Sequence, residues 1–441
     1  IFCLDTQFIP TTILKVGITD PMDYKYLKNL RFALRIISGW PGKELGEKST
    51  RFEGIGHAYY NTILSLVYLV SGLAYLKIHM AELSFLEIGH NYIVLLMNIL
   101  SSSRAFTLCL SQKYREVAIL FIRKIHLFHH KDKSDYAKDI HIKVHRVSHY
   151  FAIYLAASQW LTLLMFNFIP VINNYRAGKY QNLNENLVNT TYEHAIYFVF
   201  PFNSDSNFKG YIVATIINWY GSYLCASSVC MFDLFLALMI FNLWGHFKIL
   251  IRLLDTFPRP AAIKNEGTEY NNMIAASHIM YSESEQKTVA KKLKECIEYH
   301  LLIVDFTNKM SEAFGMALFV YLTFHQVSGC LLLLECSQLN PQALARYLPL
   351  STLLFGQLIQ LSIIFESVGA MSEKLKDAVY CLPWEHMNTE NRKTVFIYLI
   401  NVQEPIHVHA GGLISVGVTT MASILKTSFS YFAFLRTVPE S

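Results

Sequence analysis

Apolar residues along this chain gather into runs long enough to cross a lipid bilayer, and the polar segments between them differ greatly in length. A spanning helix needs roughly 20 mostly apolar residues. Six stretches supply them, at about 55–78, 85–110, 147–172, 211–245, 313–338 and 347–369. A seventh, about 411–436, is rich in Gly, Ser and Thr and carries Lys426. The pattern predicts an all-α membrane protein of seven transmembrane helices. Residues 283–312 read as helix running straight into the fifth span, with Lys287, Lys291 and Lys294 on one face. Residues 389–402 read as a further amphipathic helix, joined to the last span through Glu404-Pro405 and Gly411-Gly412.

Charge placement then orients the chain. With the N-terminus in the cytoplasm, the inward segments hold 30 of the 38 Lys and Arg, while the outward segments and ends hold six. Basic residues accumulate on the cytoplasmic side, so the expectation is N-terminus cytoplasmic and C-terminus extracellular. The sequon Asn189-Thr190-Thr191 falls in the outward loop 173–210, where a glycan can be attached. Composition agrees with lipid as the solvent. The chain is 53% hydrophobic and 16% charged, against about a quarter charged for soluble domains, and it is rich in Phe and Tyr. Residues 1–54 hold no apolar stretch of signal-peptide length, so none is expected there. The eight cysteines contain no C-x-x-C pair, and Cys109, Cys225, Cys230, Cys330 and Cys336 lie in or at the ends of spans, where packing is expected.

Candidate chemistry concentrates in the last span. Thr419, Ser423, Thr427 and Ser430 recur at helical spacing, and Phe434 and Val438 continue the stripe beside Thr437. Lipid satisfies no polar stripe, so this one faces protein or water. Two arrangements meet that condition: a pore-lining helix narrowed at Phe434 and Val438, or a small-residue helix packed inside its own bundle. The outward halves of the other spans are aromatic with few charges. Tyr92, Trp160, Leu164, Phe168, Thr215, Trp219, Phe324, Ser328 and Phe355 are candidates to line an apolar pocket for a small volatile or lipid-like ligand. Intramembrane acids are few. Asp233, Glu335 and Glu366 are expected to serve structure, with Asp233 paired in the cytoplasmic extension rather than in an ion relay. His141, His145 and His149 share one helix face, read as a membrane-proximal polar face rather than a metal site, since no carboxylate or Cys completes a set. No phosphate loop, nucleophile elbow or Walker motif is present, so no enzyme and no cofactor is expected. The basic segments follow from topology and anionic lipid, without nucleic acid.

Seven spans raise the possibility of a G-protein-coupled receptor, which the inverted orientation opposes. Nor does span 3 end in Asp-Arg-Tyr or the last span hold Asn-Pro-x-x-Tyr. The carboxyl third instead carries Pro383-Trp384-Glu385, Asn391-Arg392-Lys393-Thr394, Gln403-Glu404-Pro405 and the run from Thr420 to Phe432, followed by Leu435-Arg436. On these residues, and along its whole length, the chain resembles the insect odorant receptor family. The resemblance implies a tetrameric ligand-gated cation channel whose last span is split into a cytoplasmic and a pore-lining helix. It implies four parts: a cytoplasmic segment 1–54, a six-helix bundle 55–369 with the ligand pocket in its outer half, an anchor segment 370–410 and a pore helix with a short tail at 411–441. It places gate residues three and seven positions after Tyr431, at Phe434 and Val438. Phe434 departs from the aliphatic residue usual there.

The ending Tyr431-Phe432-Ala433-Phe434-Leu435-Arg436 is similar to odorant-specific tuning subunits rather than to the shared co-receptor. The resemblance therefore implies a heterotetramer with co-receptor subunits, in the plasma membrane of olfactory neuron dendrites, opened by a small hydrophobic odorant or pheromone. A gustatory-receptor-like channel is the nearer alternative, disfavoured by the absence of that group's ending. A secondary transporter is the alternative from another class, and it predicts inverted repeats and mid-depth acids that are not visible here.

Overall fold

The computed structural model describes residues 18–48, 55–83, 85–180, 191–261, 279–337 and 341–437. Its helices are α1 (Lys25–Ile36), α2 (Ile55–His79), α3 (Phe85–Leu110), α4 (Gln112–Leu120), α5 (Asp135–Arg176), α6 (Phe208–Asp255), α7 (Glu283–Ser337), α8 (Pro341–Tyr380), α9 (Thr389–Asn401) and α10 (Val418–Thr437). A two-residue hairpin pairs β1 (His409–Ala410) with β2 (Ile414–Ser415). Among the described residues, six helices (α2, α3, α5, α6, α7 and α8) are long and apolar enough to cross a membrane. The seventh span is α10, whose Ser and Thr content lowers its apolarity.

Side-chain caps set several helix starts. Ser111, Ser134, Asn207 and Asn388 each accept a backbone N–H from the first turn of α4, α5, α6 and α9. Once begun, the spanning helices continue far past the bilayer. α5 to α8 run 40 to 55 residues, roughly 60 to 80 Å at the usual rise, against about 30 Å of hydrocarbon. The excess lies at the end rich in Lys and Arg. There α7 and α8 pack with α9, as the amphipathic patterns predict. The last span begins later than expected, because residues 411–417 are not helical. Gly411 and Gly412 hold φ of +59° and +75°, a region side chains avoid, and they turn the hairpin that precedes Val418.

The core centres on α6, which is apolar all round and buried almost without interruption from Phe232 to Leu243. α1 closes the basic end. Its stripe Leu27, Leu30 and Leu34 is fully buried, and Arg31 and Arg35 pair with Glu47 outside it. The histidine stripe of α5 is not a polar surface. His141 and His145 are buried beneath α1, with His141 Nε2 2.8 Å from Tyr24 Oη and the His145 ring 4.3 Å from the Tyr24 ring. No group of three metal-ligating side chains forms among the described residues.

Candidate ligand pocket and pore helix

Between the outer halves of α3, α5, α6 and α8 lies a cavity of about 150 Å³. Its walls are mostly apolar, including Met97, Phe166, Phe198, Val229 and Leu354, with Gln159, Ser158, Thr162 and Gln357 as polar groups. Gln159 is oriented by its own hydrogen bond, Nε2 donating to Ser227 Oγ at 3.0 Å. A second cavity of about 750 Å³ lies between α5 and α8 and shares His90, Ser158, Thr162, Phe166, Leu353 and Gln357 with the first. An apolar space with a few fixed polar groups suits a small lipophilic molecule bearing one hydrogen-bonding function.

The loop after α5 forms the outer wall, which the hydropathy pattern did not indicate. Asn218 Nδ2 donates to Ile196 O at 2.9 Å, Asn174 Nδ2 to Glu193 O at 2.8 Å, and Ser71 Oγ to Val199 O at 3.0 Å. These bonds hold Ile196 and Phe198 against the cavity. Gly221 completes the wall, since a Cβ there would meet the Tyr68 ring at 2.9 Å.

The nine residues expected to line a pocket lie around these cavities rather than in them. None borders the two larger ones, and Thr215 borders a third of about 10 Å³. Trp160, Leu164 and Phe168 are exposed on α5, and Phe168 packs edge-on against Trp219 at 5.1 Å. The cavity side of α5 is Ser158, Thr162 and Phe166, two residues out of phase and so about 200° around the helix. Tyr92 is exposed beside the lining residues Ile93 and Val94. Phe324 and Ser328 are buried on α7, near Gly329, where a Cβ would meet Phe355 and Ser428 of α10 at 3.1 and 3.0 Å. That group belongs to the seam between α7, α8 and α10.

α10 packs on α7 and α8 through Ile424 and Ser428, which are buried. Its other side carries Thr419, Ser423, Ser430 and Phe434, all exposed, with Thr427 partly so. Phe434 is 64% exposed. Thr437 closes the helix, while Val438 and Asn189 lie outside the described residues. Apart from the half-buried Thr427, the polar stripe therefore faces away from the rest of the chain. The base of α10 is held by Glu366 of α8, whose Oε2 accepts the Val418 N–H at 2.9 Å. A carboxylate at a helix N-terminus satisfies an otherwise unpaired donor and complements the helix dipole. Glu366→Ala is expected to weaken this tie by about 1 kcal/mol. A detergent-solubilised variant melting at the wild-type temperature would show that the cap contributes nothing.

A family model described as 7tm Odorant receptor matches residues 84–429. The chain belongs to the seven-transmembrane odorant receptor family. Similar curated proteins include Odorant receptor Or2 of Anopheles gambiae, 25% identical over 155 residues, covering 34% of this chain and 40% of that one. Odorant receptor 13a of Drosophila melanogaster is 20% identical over 254 residues, covering 54% and 56%. The chain spans about half the length of the curated relatives it matches. Among solved structures, the insect olfactory receptor OR5 from Machilis hrabei in complex with eugenol superposes with a TM-score of 0.70 at 14% identity, covering 94% of this chain and 98% of that one. A second structure of the same receptor gives 0.69 at 15% identity. The odorant receptor chain thus has the seven-helix membrane fold expected from its sequence.

The motifs of the carboxyl third act as clamps in this odorant receptor. Asn391 Nδ2 donates to Gln286 Oε1 at 2.9 Å, and Arg392 donates to the carbonyls of Trp384 and Glu385 at 3.1 and 2.7 Å. They fasten α9 to the inner end of α7 and leave Phe396, Ile397 and Ile400 exposed.

Proposed function

We propose that this odorant receptor is the ligand-recognising subunit of a heteromeric ligand-gated cation channel. A small hydrophobic odorant or pheromone occupies the paired cavities between α3, α5, α6 and α8, and its tighter binding to the open arrangement moves α10. Cations then pass along the Thr419, Ser423, Thr427 and Ser430 stripe, gated at Phe434, Thr437 and Val438. The observation that carries this reading is the exposed polar stripe of α10. Thr427 returns its hydroxyl to the Ser423 carbonyl, but Thr419, Ser423 and Ser430 face away from their own chain, and since lipid satisfies no polar group, a shared aqueous axis between subunits is the arrangement that suits them. The apolar side chains left exposed on α9 supply a surface for neighbouring subunits, of which co-receptor copies are the partners we assign. A plasma-membrane location in olfactory dendrites and a glycan at Asn189 complete the proposal. That OR5 of Machilis hrabei binds eugenol within the same fold supports a ligand of that size.

The test is electrical, in cells co-expressing a co-receptor and exposed to aliphatic alcohols, aldehydes, acetate esters and phenylpropanoids. Phe166→Ala is expected to raise the half-maximal concentration of an active volatile about tenfold, equivalent to roughly 1.4 kcal/mol. Trp160→Ala, on the outward face, is expected to leave it unchanged. The reverse pattern would move the ligand away from this cavity. Phe434→Ala with Val438→Ala is expected to alter conductance and block, and unaltered currents would remove the gate from these positions.

A further inference from the structure

Arg104 of α3 is the one Lys or Arg that is buried among the described residues, with no exposed surface. It lies inside a spanning segment, where an unpaired cation is costly. Its Nη1 makes both of its polar contacts, donating to Val229 O at 2.8 Å and pairing with Asp233 Oδ2 at 2.9 Å. The guanidinium lies over the Phe232 ring at 4.8 Å and the Tyr321 ring at 5.0 Å. The expected partner for Asp233 in the cytoplasmic extension is therefore replaced by one inside the bundle. Helix packing alone does not require this pair, because apolar residues of similar volume commonly hold a core as well or better.

Its position supplies a reason. Val229 and Cys230 line the inner side of the 150 Å³ cavity, and Asp233 follows one turn later on α6. On the opposite side, Tyr321 belongs to α7, and His325 stacks edge-on against it at 4.4 Å. The next turn of α7 receives the pore helix, with Ser428 Oγ donating to Gln326 O at 3.4 Å. One guanidinium thus touches the helix that lines the pocket and the helix that carries α10. The contact is also incomplete. Arg104 Nε and Nη2, Asp233 Oδ1 and Tyr321 Oη carry no hydrogen bond to any protein group. These unmet atoms leave the pair one nitrogen short of a bidentate contact. Two discrete arrangements of one pair are what a coupling element needs.

We propose that Arg104, held by Asp233, is the positioning residue that transmits occupancy of the pocket to the pore helix. This rests on the channel reading above. Arg104→Gln, Asp233→Asn and Arg104→Lys are compared with Phe166→Ala in cells with the co-receptor. Surface protein, ligand-free current and the maximal current evoked by the same volatile panel are recorded. Arg104→Gln and Asp233→Asn are expected to cut maximal current per surface channel at least about fivefold and to change ligand-free current, with Arg104→Lys intermediate. Phe166→Ala is expected to shift sensitivity and keep the maximum. Currents that fall only in proportion to surface protein, or a shift in sensitivity alone, overturn the coupling role. If the wild type answers no volatile, the receptor reading fails. Ligand-free current per surface channel then decides the coupling separately, and values equal to wild type in both charge variants refute it.

Discussion

Gly245→Leu is expected to leave little folded receptor. At this position α6 passes so close to its neighbours that a Cβ would collide with Leu127 Cδ1 and lie 3.2 and 3.3 Å from Ile140 and Val144 methyls. Leu127 and Ile140 are only 1% and 3% exposed, so neither has solvent to retreat into. Extra atoms in a packed core cost about 1–3 kcal/mol where side chains adjust and more where they cannot. Leucine adds four carbons against three packed neighbours. Gly245→Ala adds one, and only the end of Leu127 needs to turn, so the alanine variant is expected to fold with lowered stability. Size-exclusion profiles and melting of the solubilised proteins order the two. A leucine variant as monodisperse as wild type would mean that α5 and α6 separate here without penalty.

Mild acid is expected to release α1. His126, in the connector beyond α4, is wholly buried among Tyr24 at the start of α1, Tyr26 of α1, His141 and His145 of α5, His246 of α6, and its neighbours Phe121 and His129. The Phe128 N–H donates to His126 Nδ1 at 3.2 Å, so Nε2 carries the ring proton and faces Tyr26 Oη at 2.9 Å. Burial, reinforced by surrounding rings, pushes His126 well below its ordinary value of 6.5. With the docked pKa depressed, the undocked ring binds a proton that the docked ring refuses. Docking is therefore unpenalised above pH 6.5 and loses about 1.4 kcal/mol per pH unit as pH falls below it. Limited proteolysis of α1 between pH 7 and 5 measures this, and His126→Gln is expected to weaken the dependence, the remainder coming from His141 and His145, which burial holds down to about 4. Wild-type protection that stays constant across that range would sink the assignment.

What could be read along the chain was what depends on local pattern. Apolar runs give spans because lipid satisfies no backbone polar groups, and Lys and Arg placement orients them. The continuation of Glu283–Ser337 from an amphipathic into an apolar stretch was legible, as was α9. The carboxyl-terminal motifs were enough for the family, and part of what they specify is local, Arg392 clamping the carbonyls of Trp384 and Glu385.

Which residues border the cavities was not legible, because a uniformly apolar span gives no sign of which face meets its neighbours. Trp160, Leu164 and Phe168 and the cavity-facing Ser158, Thr162 and Phe166 are equally regular stripes on α5, and packing alone decided which of them borders the cavities. The bond from Ser71 to the loop wall at Val199 and the pairing of Arg104 with Asp233 join residues more than a hundred positions apart. Helical periodicity carries information over a few turns. Which distant turns meet is decided by the tertiary packing of α3, α5, α6 and α7.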